Sequence, residues 1–263
     1  MSPFQLMQKK QRQEKISFIT CYDYPSARIV AESPIDAILV GDSVAMTVYG
    51  HPSTVTATMP MMLAHTQAVA KGLGSQWLVS DLPFLSYRAG LNETMTHVRS
   101  LMQAGAHAIK LEGGDPDACH TIEYLVQAGI NVVGHIGLTP QSIHQLGGFK
   151  IQGRRAHDAQ RLEQEALALE QAGCCALVLE CIPQHLAQTI TQSLQIPTIG
   201  IGAGIHTDGQ ILVWHDVLGL QTDFHPKFLK QYASLHPSVL QALNQYHQEV
   251  MDQQFPTYEH SYD

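Results

Sequence analysis

Short apolar runs of four to six residues alternate along this chain with longer stretches of helical periodicity. The runs are Ile16 to Cys21, Ala37 to Val40, Trp77 to Ser80, the run opening at Ala108, Val132 to His135, Ala176 to Glu180 and Thr198 to Ile201, with Ile211 to Val213 a weaker eighth. Helical stretches are predicted from near Tyr24, over Met61 to Lys71, Asn92 to Gln103, Asp117 to Gln127, Ala159 to Gln171 and Gln184 to Ser193. Strands alternating with helices argue for a parallel sheet with the helices outside it. About eight such units predict closure into a (β/α)8 barrel, the TIM-barrel architecture, rather than an open sheet. Three helical stretches end in Gln-Ala-Gly, at Gly105, Gly129 and Gly173. Glycine tolerates the left-handed conformation that closes a helix, so this is a cap recurring with the βα unit. Phe4 to Glu14 predicts a short amphipathic helix capping the first strand. Pro226 to Tyr232 and Pro237 to Met251 read as helices beyond the last strand, ahead of a loose tail from Gln253. Nothing in this rhythm marks a boundary, so residues 1–263 are expected to form one domain.

Composition narrows the class. Hydrophobic residues make up 44% of the chain and charged residues only 14%, the latter well below the usual quarter. Glutamines and 15 histidines supply polarity without formal charge, and a surface covered by a partner subunit would also reduce the need for it. A net charge of -8 argues against a general nucleic-acid binder, whose footprint is a basic patch or stripe. Five cysteines, Cys21, Cys119, Cys174, Cys175 and Cys181, are scattered without a CxxC or CxxH pair. They read as buried thiols of a reducing cytosol rather than disulfides or zinc ligands. No apolar run approaches the roughly 18 residues that span a bilayer, and Met1 to Lys15 lacks a signal-peptide core. A soluble, cytoplasmic protein without membrane contact is expected.

The chemistry gathers at the strand ends. In Ala108-Ile-Lys-Leu-Glu-Gly-Gly114, period-two alternation puts Lys110 and Glu112 on one face. Alone, that could be a solvated ion pair. However, Asp42 follows Ile-Leu-Val-Gly, Asp81 follows Trp-Leu-Val-Ser, His135 follows Val-Val-Gly and Glu180 follows Ala-Leu-Val-Leu. In a barrel these ends meet on one rim, where catalytic residues sit. Three packed carboxylates, Asp42, Asp81 and Glu112, would repel one another unless a cation stood between them, and their oxygens suit Mg2+, with Mn2+ or Co2+ as substitutes. Lys110 either holds a substrate carboxylate or developing oxyanion, or merely balances the acids. Glu180 follows a wholly apolar run, where desolvation would raise its pKa and suit a general base; the alternatives are a fourth metal ligand or a buried partner of His135. His135 either orients a substrate or is a satisfied core histidine, and Cys181, pointing away from Glu180 on an alternating strand, reads as packing. The long connection from His135 to Ala159 has the length of a lid or of a mobile loop. Gly200 to Gly204 lacks the full GxGxxG pattern, so it reads as a tight turn rather than a dinucleotide site.

At these residues the chain resembles the ketopantoate hydroxymethyltransferase family. The resemblance runs from Thr20-Cys21-Tyr22-Asp23-Tyr24 to Pro226-Lys227-Phe228, through Val40-Gly41-Asp42-Ser43, Asp81-Leu82-Pro83-Phe84, Lys110-Leu111-Glu112-Gly113-Gly114, Gly134-His135-Ile136-Gly137-Leu138-Thr139-Pro140-Gln141, Leu179-Glu180-Cys181 and Gly200-Ile201-Gly202-Ala203-Gly204. It implies a barrel of the phosphoenolpyruvate/pyruvate superfamily and a Mg2+-dependent one-carbon transfer. The donor would be 5,10-methylenetetrahydrofolate and the acceptor 3-methyl-2-oxobutanoate, in the first committed step of pantothenate synthesis. By motif position Asp42, Asp81 and Glu112 carry over as metal ligands, Ser43 and Lys110 as contacts to the keto acid, and Glu180 as proton acceptor. It also implies a decamer of two pentameric rings. A magnesium-dependent lyase of the same superfamily and a silent 2-oxo acid binder are the competing readings. The chain departs from the family where Thr-Leu-Pro-Val-Thr is usual, reading Thr54-Val55-Thr56-Ala57-Thr58, and where Pro52 replaces the common Asp after His51. Thr222-Asp223-Phe224-His225 is a further irregular stretch.

Overall fold

A computed structural model describes residues 1–223 and 225–262. Eight parallel strands close into a barrel in chain order: β1 (Ile16–Thr20), β2 (Ala37–Val40), β3 (Trp77–Asp81), β4 (Ala108–Glu112), β5 (Val132–Gly137), β6 (Ala176–Glu180), β7 (Thr198–Ile201) and β8 (Gly209–Leu212). β8 pairs back onto β1, with Ile16 beside Gly209 and Phe18 beside Ile211. Helices Tyr24–Ala31, Met59–Gly72, Leu91–Gln103, Pro116–Gln127, Ala156–Gln171 and Gln184–Ser193 cross between successive strands. The connection from β7 to β8 has no helix and turns through residues 202–208. Gly105, Gly129 and Gly173 all take positive φ, at +110°, +87° and +99°, so the recurring Gln-Ala-Gly is a left-handed helix cap as expected.

Period-two alternation sorts the strands. One face of each strand supplies an apolar floor inside the barrel: Ile16 and Phe18, Ala37 and Leu39, Trp77 and Val79, Ala108, Val133, Ala176 and Val178, Ile199 and Ile211. The next residues upward on the same faces are Asp81, Lys110, Glu112, His135 and Glu180. Apolar packing thus fills the lower barrel and ionisable groups occupy its C-terminal end.

The floor is closed from below by the N-terminal helix Pro3–Gln11, three residues shorter at its end than predicted. Ser2 caps it and Leu6 is fully buried against the floor; removing a buried leucine side chain of this kind costs about 2–5 kcal/mol. Its basic last turn is structural. Lys9 pairs with Asp36 at 2.6 Å and Lys10 with Asp208 at 2.9 Å, and Lys10 also donates to the carbonyls of Thr191 and Ile196.

Chain contacts divide the molecule into two compact units, Met1 to Leu212 and the chain from Val213 onward. In the second, a short helix Trp214–Val217 precedes helix Leu235–Met251. Between them Pro226 to Tyr232 forms turns, not the predicted helix. Seven residues are too few to hold a helix without an apolar face to bury, and Lys230 and Tyr232 are exposed. Phe224 of the irregular stretch lies outside the described residues. No helix among the described residues is long and apolar enough to cross a membrane.

Candidate active site

The register of the ladder brings the strand ends together. Asp81 lies opposite Lys110, Glu112 opposite His135, and Gly137 opposite Glu180. Asp42 follows β2 by two residues, and its backbone N–H donates to Asp81 Oδ2 at 3.0 Å. Asp42, Asp81, Lys110, Glu112 and His135 are all buried. Lys110 Nζ stands 3.2 Å from Asp81 Oδ1 and 3.8 Å from Glu112 Oε1. His135 lies between two acids, with Nδ1 3.2 Å from Glu112 Oε1 and Nε2 3.2 Å from Glu180 Oε2. Asp81 Oδ1 and His135 Nε2 complete no hydrogen bond despite these approaches; the groups are near enough for charge attraction but off-axis. Ser43 opens the helical turn Val44–Thr47, and its Oγ lies 2.7 Å from the Tyr22 hydroxyl. A Cβ on Gly41 would come within 2.8 Å of Ser43 Oγ and 3.6 Å of Asp81 Oδ2; glycine there lets the serine fold back beside the acids.

Burial and crowding set the charges. Burial, then Asp81 and Glu112, push the Asp42 carboxyl well above the usual range. Burial also raises Asp81, with Lys110 pulling the other way. For Glu112 the burial penalty is outweighed by its hydrogen bond and attraction to His135, assisted by Lys110, and its pKa falls. Burial opposes the Lys110 ammonium, but Asp81, Glu112 and Asp42 reverse that and hold it charged. Burial and Lys110 oppose a charged His135, yet Glu112 and Glu180 lift it to about 9. Lys110 Nζ also reaches His135 Nδ1 at 3.3 Å, a contact that needs a neutral ring. The two flanking carboxylates favour the imidazolium near neutral pH, with Nδ1–H turned to Glu112.

The predicted residues therefore converge, with two differences from expectation. Glu180 is less enclosed than its apolar strand suggests; its side chain is 16% exposed against 3% for Glu112. The strand stops at Glu180, and Cys181 holds φ +48° instead of continuing the alternation. His135 is neither a plain core histidine nor isolated, because it joins Glu112 to Glu180. Two residues carried no expected role. Gln141 donates from Nε2 to Asp42 Oδ2 and from its backbone N–H to Glu112 Oε2, at 2.8 and 3.0 Å, and Tyr87 lies against it. Only a polar residue just after Pro140 within a dense motif hinted at Gln141. Among the described residues no three His, Cys, Asp or Glu side chains already form a close ligand cage.

Comparison with known proteins agrees with this architecture. The ketopantoate hydroxymethyltransferase family model matches residues 1–258. Proteins named 3-methyl-2-oxobutanoate hydroxymethyltransferase are similar over 97% of the chain: one from Legionella pneumophila strain Philadelphia 1 is 62% identical, covered over 97% of its length, and one from Bdellovibrio bacteriovorus is 52% identical, covered over 96%. Among solved structures, phosphonopyruvate hydrolase in complex with oxalate and Mg2+ has the same fold at 13% identity and TM-score 0.63, over 99% of this chain and 93% of that one. A 2,3-dimethylmalate lyase of the PEP mutase/isocitrate lyase superfamily has it at 16% identity and TM-score 0.61, over 98% and 92%. With matches of this extent and identity, the chain belongs to the ketopantoate hydroxymethyltransferase family.

Proposed function

We propose that this chain transfers a hydroxymethyl group from 5,10-methylenetetrahydrofolate to 3-methyl-2-oxobutanoate, giving 2-dehydropantoate and tetrahydrofolate, the first committed step of pantothenate and coenzyme A synthesis. The observation that carries it is the joining of Glu180 to the buried acids through His135, at 3.2 Å on each side. The candidate proton acceptor thereby stands beside the candidate cation-binding set at the C-terminal end of the barrel.

The residues fit a hard divalent cation. All three acids offer oxygen, and Asp81 Oδ1 is buried without a hydrogen-bond donor. Asp42, Asp81 and Glu112 would hold Mg2+, and Mn2+ or Co2+ by substitution. The absence of a tight three-acid cage is compatible with Mg2+, which is bound through one or two carboxylates and keeps several waters. When bound, the ion supplies a Lewis acid for the carboxylate and keto oxygens of the 2-oxo acid.

Glu180 removes the proton at C3 of the substrate, with His135 Nε2 3.2 Å from its carboxylate to aim it. Lys110 faces the negative charge that develops on the keto oxygen. Ser43, held by Tyr22, donates to the substrate carboxylate. The C3 carbon then bonds to the methylene carbon of the folate as one of its two C–N bonds breaks, the freed nitrogen taking the proton removed from C3. Water replaces the second nitrogen on that carbon, its proton passing to that nitrogen, and tetrahydrofolate leaves. Residues 1–263 act as one functional domain in the cytoplasm. Assembly as a decamer of two pentamers is supported by exposed Leu240, Leu243 and Tyr246 on the helix Leu235–Met251, and light scattering of the purified chain tests it.

The deciding assay is 2-dehydropantoate formation with and without methylenetetrahydrofolate. Folate-dependent product supports the reading; cleavage without folate would make the chain a lyase, and binding without turnover a silent carrier. Glu180→Gln should retain substrate binding but lose exchange of the C3 proton with solvent deuterium. Undiminished exchange removes Glu180 from its role.

A further inference from the structure

Gln141 sits in the turn Pro140–Ser142 after β5, is buried, and has every polar atom of its side chain engaged. Its Nε2 donates to Asp42 Oδ2 at 2.8 Å and to the Leu82 carbonyl at 2.9 Å. Its Oε1 lies 3.0 Å from the Tyr87 hydroxyl, which is also 3.1 Å from the Glu112 carbonyl and shares one proton between them. Both neighbours of Nε2 are acceptors and the neighbour of Oε1 is a donor, so chemistry fixes which end of the amide is which. The backbone N–H of the same residue donates to Glu112 Oε2 at 3.0 Å.

Each acid thus has one oxygen tied by a protein N–H. Asp42 Oδ2 and Glu112 Oε2 are tied by Gln141, and Asp81 Oδ2 by the Asp42 backbone. Asp42 Oδ1, Asp81 Oδ1 and Glu112 Oε1 take none of these N–H bonds; the last two face Lys110, and Glu112 Oε1 also meets His135 Nδ1 at 3.2 Å. A charged residue could not do this work: Glu at 141 would add a fourth buried carboxylate, and Lys would neutralise Asp42 and take the place of a cation. The arm that carries Gln141 is also latched at its other end, where Leu138 N–H donates to the Glu180 carbonyl at 2.8 Å.

We propose that Gln141 is the positioning residue for the acids, a neutral clamp that holds one oxygen of Asp42 and one of Glu112 and so aims the other oxygen of each at a divalent cation. This rests on the metal-dependent reading above. Partners that orient metal ligands are worth roughly 10–100-fold in metal affinity.

The test uses Mn2+ alone as probe. Its affinity for the full-length, metal-free chain is read by electron paramagnetic resonance, with circular dichroism and thermal melts run in parallel. Gln141→Leu keeps the backbone N–H and the bulk but loses the amide, and is expected to weaken Mn2+ binding of the folded chain roughly tenfold. Tyr87→Phe releases the amide oxygen without removing any donor to a carboxylate side chain, and should give a smaller loss in the same direction. A merely structural glutamine would lower the melt and leave the affinity of the folded chain alone. Mn2+ affinity within about twofold of the parent in folded Gln141→Leu overturns the proposal. Should Gln141→Leu not fold, Tyr87→Phe decides, and parental affinity there overturns it equally. Failure of the parent chain to bind Mn2+ sinks the metal reading itself and this inference with it, so the two failures are distinct.

Discussion

Gly137 and Glu180 meet backbone to backbone across the β5–β6 ladder, and a Cβ on Gly137 would collide with the Glu180 carbonyl oxygen. Gly137 also holds φ at +97°, where an L side chain is strained. The same carbonyl accepts the Leu138 N–H at 2.8 Å. Gly137→Ala must therefore push the two strand ends apart and move Glu180. Displacement of a catalytic group by about 1 Å can cost roughly 100-fold in rate. The expected outcome is a folded enzyme whose kcat falls by about that factor while KM for the keto acid changes less. Near-parental kcat would show that the close approach does not position the base.

Lys110 is enclosed by acids, 3.2 Å from Asp81 and 3.8 Å from Glu112. Removing one partner of a buried ionic set leaves uncompensated charge and costs about 3–5 kcal/mol. Lys110→Met should lower the melting temperature of the metal-free enzyme by roughly 10 °C. Added Mg2+ should then stabilise the variant more than the parent, because it meets acids that have lost the Lys110 ammonium. Equal Mg2+ stabilisation of both proteins, measured by calorimetry, would place the ion away from Lys110.

How much of this was legible beforehand follows from the range of each signal. Most strands showed because a parallel strand buried on both faces reads as an apolar run; β8, with Gly209 and an exposed Gln210, gave the weakest signal. Lys110 and Glu112 could be placed on one face because alternation is a local rule, and Asp81, His135 and Glu180 because a barrel brings strand ends together whatever their order. Gln141 and Tyr87 stayed hidden: they lie on irregular connections, 99 and 54 residues from the atoms they bond, and no periodicity reports such a distance. The Pro226–Tyr232 helix failed for the opposite reason. Its proline start is a local cue, and tertiary burial, which decides short helices, did not follow.

Metal and protons should compete at Asp42. Burial together with Asp81 and Glu112 raises its pKa in the metal-free fold, so the folded chain holds a proton there at pH values where the unfolded chain has lost it. The sign follows: metal-free stability falls as pH rises through that window, and a divalent cation must displace the proton to bind. Mg2+ affinity is expected to climb as pH rises through the range in which Asp42 gives up its proton and then level, with proton release shrinking over the same range. Titration calorimetry in buffers of different ionisation enthalpy reads both. Affinity that is flat with pH, with no proton released, would contradict a protonated Asp42.

Asp216 offers a separate check outside the catalytic set. It is buried on the short helix Trp214–Val217, its Oδ1 makes no hydrogen bond, and burial alone pushes its pKa up to about 6. Because the folded value lies above the unfolded one, the cost of charging it is absent below the unfolded pKa of roughly 4. That cost grows as pH rises and is fully present above about 6. Asp216→Asn removes the charge but keeps the shape. The variant should melt several degrees higher than the parent at alkaline pH and at the same temperature in acid below the unfolded pKa, so the two melting curves converge as the pH is lowered. A gain that is the same at every pH would mean that the substitution acts through packing rather than through ionisation of the carboxyl.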